Sequence, residues 1–100
     1  MINVIAIITA KPGMREPMLA AYKTNVAAVR AEEGCIEYGA VVDAPGDVFA
    51  KFGPDSFVVI EKWASMQALQ AHAVAPHMKA YGAQVKEFMA SRSIHVLEAV

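Results

Sequence analysis

Cysteine is nearly absent from this 100-residue chain. Cys35 stands alone, so neither an intrachain disulfide nor a cysteine zinc cluster can hold the fold. Long hydrophobic runs are missing as well. The longest early one, Val4 to Ile8, is five residues, against the roughly 20 that a helix needs to cross a bilayer. Met1-Ile2-Asn3 puts no positive charge ahead of that run, so no signal peptide is expected, no membrane contact, and a cytoplasmic location. Charge of one sign is lacking too. Nine Lys and Arg face ten Asp and Glu, for a net charge of −1, which leaves no basic footprint for nucleic acid. No glycine-rich loop links a strand to a helix and no G-x-S-x-G elbow occurs, so dinucleotide, phosphate-loop and serine-hydrolase chemistries are not expected.

Apolar side chains are what the chain has in excess. They make up 56% of the residues and charged ones only 19%, where a globular domain averages about 45–50% apolar. Nineteen of the apolar residues are alanine, leaving 37 larger ones (56 minus 19). Such a composition excludes disorder. The length fits a single domain over residues 1–100, and a domain of this size buries only roughly 60–65% of its unfolded surface. The apolar surplus therefore has two destinations, a partner subunit or a ligand pocket.

Asn3 to Ala10 is β-branched and apolar at consecutive positions, the pattern of a strand covered on both faces. Lys11-Pro12-Gly13 ends it. From Arg15 to Glu33 the period becomes helical, with Met18, Tyr22, Val26 and Val29 on one side, Pro17 in the first turn and Gly34 as a stop. Cys35 to Asp43 reads as a second strand, Ala44 to Ser56 as a loop carrying Val48, Phe49 and Phe52, and Phe57 to Trp63 as a third strand. Alternation puts Val58 and Ile60 on one face of that strand and Phe57, Val59, Glu61 and Trp63 on the other. Ser65 suits the N-cap of a short helix to about Ala73, and Pro76 starts another that turns Met78, Tyr81, Val85, Phe88 and Met89 inward. Ser93 to Val100 closes as a fourth strand. The order is βαββαβ with the second helix broken at Pro76, a ferredoxin-like α+β arrangement with a four-stranded antiparallel sheet. Helices cover only one face of such a sheet, so the other asks for a second copy packed sheet to sheet.

Few residues can carry chemistry. Cys35 reads as a small strand residue. His72 and His77 are five apart across Pro76, whereas a zinc pair on one helix needs a spacing of four, and the nearby Glu61 and Glu87 do not supply a set; no metal is expected. Each His is either a plain helix-end residue or a proton donor and acceptor near neutral pH. Glu61 shares a face with apolar neighbours and must be paired or protonated there. It is either one half of a subunit-interface salt bridge or a general base with a raised pKa. Tyr38 and Trp63 offer a flat apolar body with one polar handle, and Tyr81 with Met66, Met78 and Met89 forms either a pocket wall or ordinary core.

Three segments together resemble one family. Glu33-Gly34-Cys35-Ile36-Glu37-Tyr38 is similar to the E-x-G-C-x-x-Y lead-in to strand two of antibiotic biosynthesis monooxygenase domains, Phe57 to Trp63 to their F-x-x-x-E-x-W strand, and His72 to His77 to their A-H-x-x-x-P-H segment. The resemblance implies a dimeric α+β barrel with a pocket between each sheet and its helices. It also implies oxidation of a small aromatic, phenolic or quinol substrate by O2 without metal, flavin or other cofactor. Carried over by motif, His72 and Glu61 are the candidate bases and Trp63, Tyr38 and His77 candidate substrate-binding residues, to which Tyr81 is added as a pocket-wall residue. The family also holds isomerases and haem-degrading members. The strand-one Asn here is Asn3, at the very start, which argues against haem. Only Arg92, Lys79 and Lys86 are in reach of a phosphosugar. An isomerase or proton-transfer enzyme acting on a small carbonyl metabolite, and a non-catalytic binding dimer, remain the alternatives. The loop from Ala44 to Ser56 is long for the family and is expected to lid the pocket or brace the dimer.

Overall fold

A computed structural model describes residues 1–100. The elements run β1 (Ile2–Ala10), α1 (Arg15–Arg30), β2 (Cys35–Val41), β3 (Ser56–Trp63), α2 (Met66–Ala73), α3 (Pro76–Val85) and β4 (Met89–Leu97). The sheet order is β2-β3-β1-β4 with every neighbour antiparallel, so the ferredoxin-like α+β expectation holds. No helix is long and apolar enough to cross a membrane.

Register explains where the core lies. Val4, Ala6 and Ile8 of β1 pair with Glu61, Val59 and Phe57 of β3 and with Val96, Ile94 and Arg92 of β4. Because side chains alternate, these residues share the face that the helices cover. Val4, Phe57 and Trp63 are buried there with Met18, Tyr22 and Val29 of α1. The opposite face carries Ile5, Ile7, Val58, Ile60 and Val41, with Ile5 and Val41 exposed. Val58 is buried, with Phe52 of the loop lining a small pocket beside it, but Ile5 and Val41 stay exposed and Ile7 and Ile60 half-buried, which is why β1 and β3 read as apolar on both faces.

Three elements differ from the sequence reading by more than one residue. β4 starts at Met89, not Ser93, and ends at Leu97. The helical spacing of Val85, Phe88 and Met89 is overridden because Lys86–Phe88 tighten into a 3₁₀ turn, after which Met89 pairs with Ala10. The Phe88 carbonyl accepts from the Lys11 N–H at 2.8 Å, fixing the start of that ladder. α1 stops at Arg30, not Glu33, so Glu32 leaves the helix and enters the turn. Gly34 closes that turn at φ +83°, where a Cβ would come within 2.6 Å of the Ala68 Cβ; only glycine gives both the left-handed backbone and the room for α2. Finally, β2 ends at Val41. The long loop beyond it is clipped at its base by the Asp43 carboxylate, which accepts from the Phe52 and Gly53 N–H groups.

Candidate active site

The alternation of β3 puts Glu61 on the buried face, two residues from Trp63. The indole Nε1–H donates to Glu61 Oε1 at 2.9 Å, and Glu61 is only 7% exposed. Burial pushes its carboxyl pKa up; the Trp63 hydrogen bond and the neighbouring His72 oppose that shift, and Glu32 adds to it. Glu61 faces the helices and not the open side of the sheet, and its neighbours there are Trp63 and His72 of the same chain.

His72 comes from the last turn of α2. That helix starts cleanly because the Ser65 side chain accepts from the Ala68 N–H at 3.1 Å, satisfying one orphan donor. Ala75 is extended and Pro76 is the first residue of α3, since proline cannot continue a helix but suits its start. The break turns His72 and His77 toward a common point, which is Glu32. His72 Nδ1 and His77 Nε2 each lie 2.8 Å from Glu32 Oε2. With the Nδ1–H donated to that carboxylate, His72 keeps a free lone pair on Nε2, the tautomer logic of a carboxylate-oriented general base. Nε2 lies 3.9 Å from Glu61 Oε1. The ring is wedged between Trp63, 4.6 Å away centre to centre, and the edge of Tyr38 at 5.8 Å. One nitrogen or oxygen from each of Glu32, His72 and His77 lies within 4.8 Å of the others. Hydrogen bonds from both rings to one carboxylate oxygen account for that convergence.

A cavity of about 400 Å³ opens between the sheet and the pair α2 and α3. Glu61, His72, Tyr38 and Tyr81 line it, with apolar walls that include Val59, Leu69 and Met78. The Tyr38 and Tyr81 phenols are both pushed up by burial, Tyr38 also by the Glu61 charge, so each is a neutral hydrogen-bond donor. Arg30 holds Tyr38 in place by donating from Nε and a terminal nitrogen to its carbonyl, at 3.2 and 2.9 Å. Two grooves along β2, about 520 and 440 Å³, are larger but more open, and neither contains a histidine or a buried carboxylate.

Two expected substrate contacts are not on the cavity wall. Trp63 is completely buried and reaches the cavity only through Glu61 and His72. His77 lies on the far side of Glu32 from the cavity, with its side chain 29% exposed. The loop from Ala44 to Ser56 does not line the cavity either. It joins the Ala10 end of β1 through Asp55, and none of its residues covers the cavity as the expected lid would. Sequence reasoning missed Glu32. The signal was present, since in the E-x-G-C pattern the acid two residues before Gly34 is Glu32, not Glu33.

Fold and site together define a ferredoxin-like α+β protein with an acid–base cluster at the wall of an apolar cavity. The family model described as "Antibiotic biosynthesis monooxygenase" matches residues 1–84, and the chain belongs to that family. It is 42% identical over 101 residues to the "Probable quinol monooxygenase YgiN" of Escherichia coli K12, covering 98% of this chain and 97% of that protein. The structure of Rv0793 from Mycobacterium tuberculosis superposes with a TM-score of 0.82 at 29% identity, covering 99% of this chain and 94% of the other. A crystal structure described as an antibiotic biosynthesis monooxygenase gives 0.84 at 27% identity, covering 100% and 99%.

Proposed function

We propose that this chain is a cofactor-independent monooxygenase that oxidises a small aromatic, phenolic or quinol substrate with O2 in the cavity between sheet and helices. The Glu32–His72 pair carries the reading. It supplies an oriented imidazole nitrogen in a space of about 400 Å³, within the roughly 300–1,000 Å³ of small-molecule sites. Family membership and the name of the E. coli relative support the same class.

Deprotonation of a substrate hydroxyl by His72 Nε2 leaves an imidazolium balanced by Glu32, and an electron-rich aromatic anion. The Tyr38 phenol, held neutral by burial, is the donor for that anion, and Glu61, whose pKa burial raises, lines the cavity beside it. The anion passes one electron to O2, the two radicals combine at a ring carbon as a hydroperoxide, and loss of water leaves a new oxygen on the ring. For a hydroquinone the balance is hydroquinone plus O2 giving hydroxyquinone plus water. The substrate supplies the electrons, so the step needs no prosthetic group. Apolar walls keep water from the intermediates, and Glu32 with the half-exposed His77 gives the proton a route to solvent.

The active form in this proposal is a homodimer packed sheet to sheet. The open face, with Ile5, Ile7 and Ile60 at its centre and Glu37, Lys62 and His95 around it, supports that assembly. The loop carrying Val48 and Phe49, both more than 80% exposed, braces it.

O2 uptake by metal-free protein on a panel of hydroquinones tests the activity. Uptake above buffer autoxidation that disappears in His72→Ala and Glu61→Ala is expected. Uptake equal to autoxidation, or unchanged in both variants, sinks the proposal. Substrate proton exchange with solvent that needs no O2 would replace it with proton-transfer catalysis.

A further inference from the structure

Arg92 and Lys79 are the two charged groups on the cavity wall that the proposed chemistry leaves unused. The alternation of β4 sends Arg92, Ile94 and Val96 to the helix-covered face, opposite Ile8, Ala6 and Val4. Lys79 approaches the same cavity from the first turn of α3. Neither makes an ion pair or a side-chain hydrogen bond; the chain's ion pairs draw on Glu32, Glu37 and Glu61. An inward-facing charge on an edge strand also discourages strand addition. That explains Arg92 alone, and not a second cation brought to the same cavity from a different element.

Their position is informative. Glu61 pairs with Val4, while Arg92 pairs with Ile8. The two rows are four residues apart along β1, or roughly 13 Å at about 3.3 Å per residue. The base is therefore at one end of the cavity and Arg92 at the other, with apolar wall between; Lys79 lines the same cavity from α3. We propose that Arg92, with the Lys79 charge on the same cavity wall, binds an anionic substituent, such as a carboxylate, at the end of the aromatic substrate opposite its reacting hydroxyl. Arginine suits this role because its planar fork meets a carboxylate with two parallel hydrogen bonds. The inference rests on the cavity being the substrate site and adds the substrate's charge and its polarity along the pocket.

Calorimetric titration with 6-hydroxy-2-naphthoate and with the neutral 2-naphthol tests it, independently of turnover. In the wild-type protein at low salt the anion should bind at least about tenfold tighter, since hydrogen bonds to charged groups outweigh neutral ones, and the preference should shrink at high salt. In an Arg92→Gln/Lys79→Gln double variant the ratio of the two affinities should fall to about one, while Arg92→Lys should retain most of the preference. Both side chains are exposed, and an unchanged circular dichroism spectrum checks that the variants fold. Equal affinities in the wild type, or an undiminished ratio in the double variant, overturn the anionic subsite and leave the proposed function standing. Binding of neither compound overturns both, because the cavity would then not be an aromatic site.

Discussion

Replacing Glu32 by alanine should damage stability and chemistry together, and the structure sets the size of both effects. Its Oε2 accepts from two histidines at 2.8 Å each. A hydrogen bond to a charged group contributes about 1.5–3 kcal/mol. The His72 bond, between side chains 7% and 13% exposed, earns the upper part of that range. The His77 bond, 29% exposed on its histidine side, is discounted for solvent screening. Together they give a loss of about 3 kcal/mol, a large share of the roughly 5–15 kcal/mol that holds a typical domain. At about 4–8 °C per kcal/mol for a domain of this size, the melting temperature should fall by roughly 12–24 °C. The catalytic loss is separate. Without Glu32 nothing fixes the His72 proton on Nδ1, so the nitrogen facing Glu61 is no longer held as the acceptor. A positioned general base contributes roughly 10²–10⁴ in rate, and kcat should fall by that order at temperatures where the variant is folded. Glu32→Gln, which keeps an acceptor oxygen but no charge, should fall between. Urea denaturation and oxygen-electrode kinetics measure the two effects. A Glu32→Ala protein within about 0.5 kcal/mol of wild type, with wild-type kcat, would refute the reasoning.

Four further outcomes follow from named contacts. Glu61 has a folded-state pKa raised above its ordinary value of 4.5, so its contribution is intact below that pH and is lost as pH rises through the folded value; Glu61→Gln should gain on wild type in urea midpoint as pH increases, and a constant difference would contradict the buried, destabilised carboxylate. The Tyr22 hydroxyl is buried with no hydrogen-bond partner, so Tyr22→Phe should be neutral or up to about 1 kcal/mol stabilising by denaturant titration; a clear loss would mean that the hydroxyl has a partner. Gly34→Ala places a Cβ 2.6 Å from Ala68 at φ +83°, and strain plus overpacking should cost about 2–4 kcal/mol, read as a drop in thermal midpoint. Ile5→Asp with Ile60→Asp puts charges opposite each other in the centre of the uncovered sheet face and should shift light scattering from a dimer to the 10.7 kDa monomer; a wild-type protein already at that mass would refute sheet-to-sheet packing.

Most of the fold was legible because its signals are local. The alternation of Phe57 to Trp63, the Ser65 cap and the break at Pro76 each fix an element within a few residues, and the motif order supplied the connections. The misreadings came from long-range competition. Val85, Phe88 and Met89 keep helical spacing, yet pairing of Met89 with Ala10 draws the chain into β4 four residues early. The site was legible by residue type more than by arrangement. Glu61 and His72 stood out because a carboxylate or imidazole on an apolar face needs an explanation. Glu32 did not, being one of two adjacent acids in a polar turn, 40 residues from His72 in sequence. Trp63 misled for a physical reason as well: an aromatic with a polar handle serves equally as a ligand platform or as a buried donor, and here its N–H is spent on Glu61.

Turnover of a hydroquinone under ¹⁸O2 by the metal-free protein, followed by mass analysis of the product, tests the central claim most directly. The account predicts one labelled oxygen in the hydroxyquinone, formed at a rate that falls by at least about a hundredfold in His72→Ala. Product formed without the label, or labelled equally fast by the His72→Ala protein, would contradict it.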